Sequence, residues 1–157
     1  MAEVVYVTKE RVKEIEEEVH LLKFKGRREI AQKIADARSH GDLSENAEYE
    51  AAKHDQELLE IKIHKLETIL GKVQVISPDE LPNDKVYILT KVKLKNLKNN
   101  SKVDYILVSP EEADFEKGKL SVTSPIGKAL MGKKIGDIAE ISAPVGKMQF
   151  EILDISK

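Results

Sequence analysis

The chain has 157 residues, of which 41% are hydrophobic and 34% charged, with a net charge of −2; that is enough for one medium domain or two small ones. Cys is absent, which excludes disulfides, cysteine nucleophiles and thiolate metal sites, and the near-neutral balance argues against binding duplex nucleic acid by bulk electrostatics. No apolar run approaches the roughly 20 residues that span a bilayer, and the first residues lack a basic-then-apolar leader, so the expected setting is the cytoplasm, with no membrane partner.

Residues from Thr8 to His40 read as one long helix, free of Pro and with Thr8 as its cap. Val12, Ile15, Val19 and Leu22 follow the three-four spacing of a coiled-coil seam. The seam then drifts through Gly26, Ile30, Ile34 and Ala37, with smaller side chains toward the end. A second helix is expected from Ser44 to Leu70, with Ala52, Leu59, Ile63, Leu66 and Leu70 on one face and Gln56 interrupting it. Each helix has a single apolar stripe, so the two should pair as an antiparallel hairpin, turning at Gly41. Gly71 ends the second helix, and Pro78 and Pro82 mark the crossing into another region. There Lys91 to Lys95 alternates, Val103 to Val108 is β-branched, Asn99-Asn100 forms a turn and Phe150 to Ile155 closes the chain as a strand. Ser124 caps a short helix over Ile126 to Met131, with Pro125 at its first position. The fold class is therefore α+β, with a helical hairpin over residues 1–76 and a small antiparallel sheet packed with one helix over residues 77–157.

Where the two long helices meet stands His40-Gly41-Asp42-Leu43-Ser44-Glu45-Asn46-Ala47-Glu48-Tyr49. Two readings compete for Asp42 and Glu45. Their spacing resembles a capping box, in which both would satisfy backbone N–H groups at a helix start. Alternatively, an exposed acidic pair presents a hard cation such as Mg²⁺, which takes carboxylate oxygens and keeps most of its waters. Two carboxylates are too few for a complete catalytic site, so on this reading a partner supplies the rest; Leu43, with little to bury against, and the polar Asn46 and Tyr49 make a cluster denser than a turn needs. Lys23, Arg27 and Arg38 fall within roughly 60° of one another around the first helix, with Lys33 beside them and Lys53 on the facing helix. They form either a phosphate-contacting stripe leading to the turn, or an ordinary solvated face with i,i+4 ion pairs. The four His have no metal-ligand spacing, and the glycines of 127–136 lack the order of a phosphate-binding loop.

The run from Asp36 to Lys53 closely resembles the signature of bacterial Gre transcript-cleavage factors, most nearly the GreA type. Glu112-Ala113-Asp114-Phe115, Ser121 to Ile126 and Gly132 to Asp137 extend the resemblance over nearly the whole chain, in the right order. It implies an N-terminal antiparallel coiled coil followed by an FKBP-like domain. It also implies a monomeric partner of RNA polymerase that enters the secondary channel and stimulates cleavage of the backtracked 3′ end of nascent RNA, without turnover of its own. Asp42 and Glu45 match the two tip acids that share Mg²⁺ with the polymerase, and Ser124 and Pro125 fall on the loop that docks in relatives. Ser44 stands where Lys is common in the family, and the basic stripe is modest, as in the GreA type. Two other functions compete: a channel-blocking regulator of polymerase without cleavage activity, and an FKBP-like prolyl isomerase. With three Phe and no Trp, the second has little material for an aromatic proline pocket.

Overall fold

The computed structural model describes residues 4–41, 46–144 and 146–156. By internal packing the chain divides into two units: Glu10–Lys72, and the N-terminal strand together with everything from Val73 on.

The first unit is the expected helical hairpin. Helix α1 (Lys9–Leu21) runs through a π-helical turn (Leu22–Gly26) into α2 (Arg27–Arg38), and α3 (Ala47–Leu70) returns. Ile15, Val19 and Ala37 are buried from one side, and Ala52, Ile63, Leu66 and Ile69 from the other. Ile69 takes the place expected of Leu70, which is only half-buried.

The π turn accounts for the drift in the seam. A strict heptad continued past Leu22 and Gly26 would bring Glu29, Lys33 and Asp36 inward; instead these are exposed, and Ile30, Ile34 and Ala37 face inward one residue later. The Arg27 N–H reaches back five residues to the Leu22 carbonyl, so the backbone absorbs one extra residue and the apolar stripe stays on the partner. Gly26 makes this possible at close range: a Cβ there would lie 3.2 Å from Leu59 Cδ1.

The second unit is a five-stranded sheet of order β5-β4-β3-β7-β6, with β3 (Lys91–Asn96), β4 (Lys102–Val108), β5 (Lys119–Ser121), β6 (Ile138–Ala143) and β7 (Gly146–Ser156). The alternation read in the sequence holds. Val92 and Leu94 are fully buried, while Lys91 and Lys93 face solvent. Asn100, at φ +59°, turns β3 into β4. Most pairings are antiparallel, as expected, but the edge pair β4–β5 is parallel. Helix α4 (Pro125–Leu130) closes one face, where Leu130 joins Val92, Leu94, Leu107, Phe150 and Ile152 in a single core.

The placement of the N-terminus differs from a division at residue 76. Val5–Val7 (β1) pairs in parallel with Val73–Val75 (β2), and the Tyr6 N–H donates to Ser109 Oγ at 2.9 Å. Val5 and Val7 are buried, so the first strand packs with the sheet unit and only the residues after it belong to the hairpin.

Candidate functional site

The expected tip residues Asp42, Leu43 and Glu45, with Ser44, lie outside the described residues; the two helix ends that carry them do not. Helix α2 stops at Arg38. The Ser39 hydroxyl donates to the Asp36 carbonyl at 2.6 Å, the His40 and Gly41 N–H groups close the last turn, and Gly41 takes φ +112°, a conformation open mainly to Gly. Helix α3 starts at Ala47 rather than Ser44, and its cap is Asn46. The Asn46 Oδ1 accepts the N–H groups of Glu48 (3.0 Å) and Tyr49 (3.2 Å), while its Nδ2 donates to the Ala37 carbonyl at 2.6 Å. One half-buried side chain thus satisfies the start of α3 and fastens it to the end of α2. The capping duty that competed for Asp42 and Glu45 belongs to Asn46.

Two further ties bracket the same turn. His40 Nδ1 and Glu48 Oε2 are 2.7 Å apart, and the Arg38 guanidinium sits 5.9 Å from the centre of the Tyr49 ring, within cation–π range. The sequence offered His40 only as the end of the first helix. The signal was present: it stands six residues before Asn46 and Glu48 two after, and a closed hairpin brings such positions together.

The basic stripe divides. Lys23 pairs with Glu67 at 3.1 Å, Lys33 with Asp55 at 4.0 Å, and Arg27 grips Glu60 through two hydrogen bonds of 2.8 and 2.9 Å. These three take the ordinary reading, except that the pairs cross between helices rather than run along one. The Arg27 hydrogen bond holds the Glu60 carboxyl below the usual carboxylate range. Arg38 and Lys53 remain exposed near the turn. Among the described residues neither makes an ion pair; Lys53 Nζ donates to Gln56 Oε1 at 2.9 Å.

Ser124 and Pro125 lie in the sheet unit, where both have local work. Ser124 caps α4, its Oγ accepting the Gly127 N–H at 3.0 Å and donating to the Ser121 carbonyl at 2.6 Å. Pro125 holds the first helical position, as expected. Ser124 is half-buried and Pro125 exposed, so the accessible part of this loop is Pro125 more than the Ser124 hydroxyl.

Residues 5–75 match the family described as "Transcription elongation factor, N-terminal" and residues 81–157 that described as "Transcription elongation factor, GreA/GreB, C-term". The chain is 50% identical to transcription elongation factor GreA of Chlorobaculum parvum over 156 residues, 99% of this chain and 98% of that protein. It is 49% identical to the GreA of Amoebophilus asiaticus, covering 99% of each. To the GreA of Flavobacterium johnsoniae it is 48% identical, covering 100% of this chain and 99% of that one. With both halves matched and half of its residues shared end to end with such a relative, the chain belongs to the GreA/GreB family of transcription elongation factors.

Proposed function

We propose that this protein binds RNA polymerase, brings the turn of its hairpin to the polymerase active centre and stimulates hydrolysis of the 3′ end of backtracked nascent RNA. It has no turnover by itself, and it works as a monomer in the cytoplasm, where bacterial transcription takes place. Asp42 and Glu45 supply hard oxygen donors of the kind Mg²⁺ accepts, and two carboxylates are too few for a dedicated site, so the ion is held jointly with the polymerase. Held there, Mg²⁺ would supply the electrostatic stabilisation that phosphodiester hydrolysis needs. Arg38 and Lys53 hold RNA phosphates beside the turn, Leu43, Asn46 and Tyr49 orient it, and Pro125 and Ser124 lie on the docking surface.

The observation that carries this reading is Asn46. Because it caps α3 and ties that helix to Ala37, the carboxylates before it are not needed to start the helix. The test is Asp42→Asn on stalled elongation complexes, read by RNA length. The amide keeps the size of the side chain but not the charge. Cleavage stimulation should disappear while competition for polymerase persists. Cleavage at the parent rate refutes metal delivery, and a parent protein that binds without shortening RNA is a channel-blocking regulator instead.

A further inference from the structure

We infer that the middle of the hairpin is a self-association surface, on which a second copy of this chain seats its Phe24 in a groove lined by Glu16, Glu17, His20 and Leu21. The contact is separate from the proposed action on polymerase, which uses a single copy, so the pair is a reserve form that dilution releases.

Among the described residues the hairpin unit exposes four large hydrophobic side chains, Leu21 and Phe24 on one arm and Leu58 and Ile61 on the other. They are not scattered. The cross-helix pairs Glu18–Lys62 and Arg27–Glu60 bring residues 58–62 level with residues 18–27, so all four fall in one short stretch of the hairpin. Single exposed apolar residues are ordinary on a protein surface, whereas a cluster rimmed by charge marks a contact. Phe24 stands 60% exposed in the middle of the π turn, and its ring lies 4.4 Å from that of His20. A ring held in place before contact loses little freedom on binding. Next to it Glu16, Glu17, His20 and Leu21 line an open groove of about 430 Å³, ample for a phenyl ring. One face of the hairpin thus carries both an aromatic knob and a place for one.

The charges name the occupant. Glu16 and Glu17 stand before the apolar pair Leu21 and Phe24, and Lys25 and Arg28 after it; all four are exposed. Among the described residues Glu16, Glu17 and Arg28 make no ion pair, and Lys25 reaches only Glu29, at 3.9 Å. Turned end for end about the midpoint between Leu22 and Lys23, the stretch is complementary to itself: Glu17 of one copy meets Arg28 of the other, and Leu21 meets Phe24. Each contact then occurs twice, as in a closed twofold dimer. The charges also set the direction, since a parallel pairing would put like charges together. Four apolar side chains from each copy fall well short of the roughly 20–30 residues per side of a stable interface, so the pair is weak and forms only with concentration.

The experiment is sedimentation equilibrium of the full chain from about 10 µM to about 1 mM, the range over which a weak contact fills. The parent should pass from the mass of one chain toward that of two. Phe24→Ser should weaken association about tenfold or more. Glu17→Lys and Arg28→Glu each set like charges against one another across the rim, so each variant alone should stay single. Mixed in equal amounts they should associate again, because both rim pairs are then opposite in sign. Both changes fall at exposed positions, and helical circular dichroism checks that every variant is folded. A parent of single-chain mass throughout overturns the inference, as does a mixture that associates no better than its components. A parent that stays single while Phe24→Ser loses competition for RNA polymerase assigns the patch to polymerase and overturns it equally.

Discussion

Replacing Asn46 tests whether the hairpin turn is held from behind. Asn46→Ala removes the cap of α3, which accepts the N–H groups of Glu48 and Tyr49, and such a loss costs about 1 kcal/mol. It also removes the 2.6 Å bond to the Ala37 carbonyl, a further ~1 kcal/mol for a neutral, half-buried hydrogen bond. Together these come to about 2 kcal/mol, confined to the unit Glu10–Lys72. For a unit of that size each kcal/mol lowers Tm by roughly 4–8 °C, so the hairpin transition should fall by about 8–16 °C. Asn46→Asp separates the two losses, since Asp caps as well as Asn but has no N–H to offer Ala37. Its hairpin should keep the cap, lose the cross-turn tie and show faster amide exchange at the end of α2. Helical circular dichroism follows the transition, hydrogen exchange at residues 37–39 and 48–50 locates it, and RNA cleavage on stalled complexes reads the consequence. Cleavage should fall in both variants, because both release the turn that carries the acids. An Asn46→Asp protein with parent-like exchange and cleavage would show that the tie to Ala37 contributes nothing, and the positioning argument would have to be abandoned.

Two other substitutions probe different parts of the molecule. Gly127→Ala would place a Cβ 2.0 Å from the Ser121 carbonyl oxygen; backbone has to move, so the sheet unit should lose about 3 kcal/mol, measured by urea unfolding, and an unchanged midpoint would contradict the α4 packing described above. Glu60→Gln removes the Arg27 pair, and the sign with pH follows from the lowered Glu60 carboxyl. A carboxyl more acidic in the folded state than its ordinary 4.5 stabilises above that value, and the stabilisation is lost as pH falls through the folded value. The parent hairpin should therefore melt slightly higher than Glu60→Gln at neutral pH and equally below both values. The gap should also shrink with added salt, and a gap that persists in acid would show that the carboxylate charge is not its source.

What the sequence made legible, and what it did not, follows the distance over which each feature is decided. Ser124 and Pro125 are read correctly because the cap, the first helical position and the accepting N–H lie within three residues of one another. The heptad seam is legible for the same reason, and even its fault is visible, since Gly26 to Ile30 is one residue too long for the spacing. Whether the backbone absorbs that residue in a π turn depends on Leu59 packing against Gly26, which only the closed hairpin provides. The cap of α3 is the sharper example. Asp42, Ser44 and Asn46 are all good caps, and local chemistry does not choose among them. Asn46 has what an Asp or Ser lacks, an amide that can donate across the turn to Ala37 while its oxygen caps, but that acceptor exists only once α2 and α3 lie side by side. The same holds for Lys23, Arg27 and Lys33: stepping around one helix lines them up as a stripe, and the register of the other helix neutralises them. Val5–Val7 went unread as a strand, because its partner Val73–Val75 stands across the whole hairpin in sequence. The acidic turn was therefore identifiable as a single run of residues, while the ties between the helix ends that flank it were not, because the groups that make them meet only when the chain has doubled back.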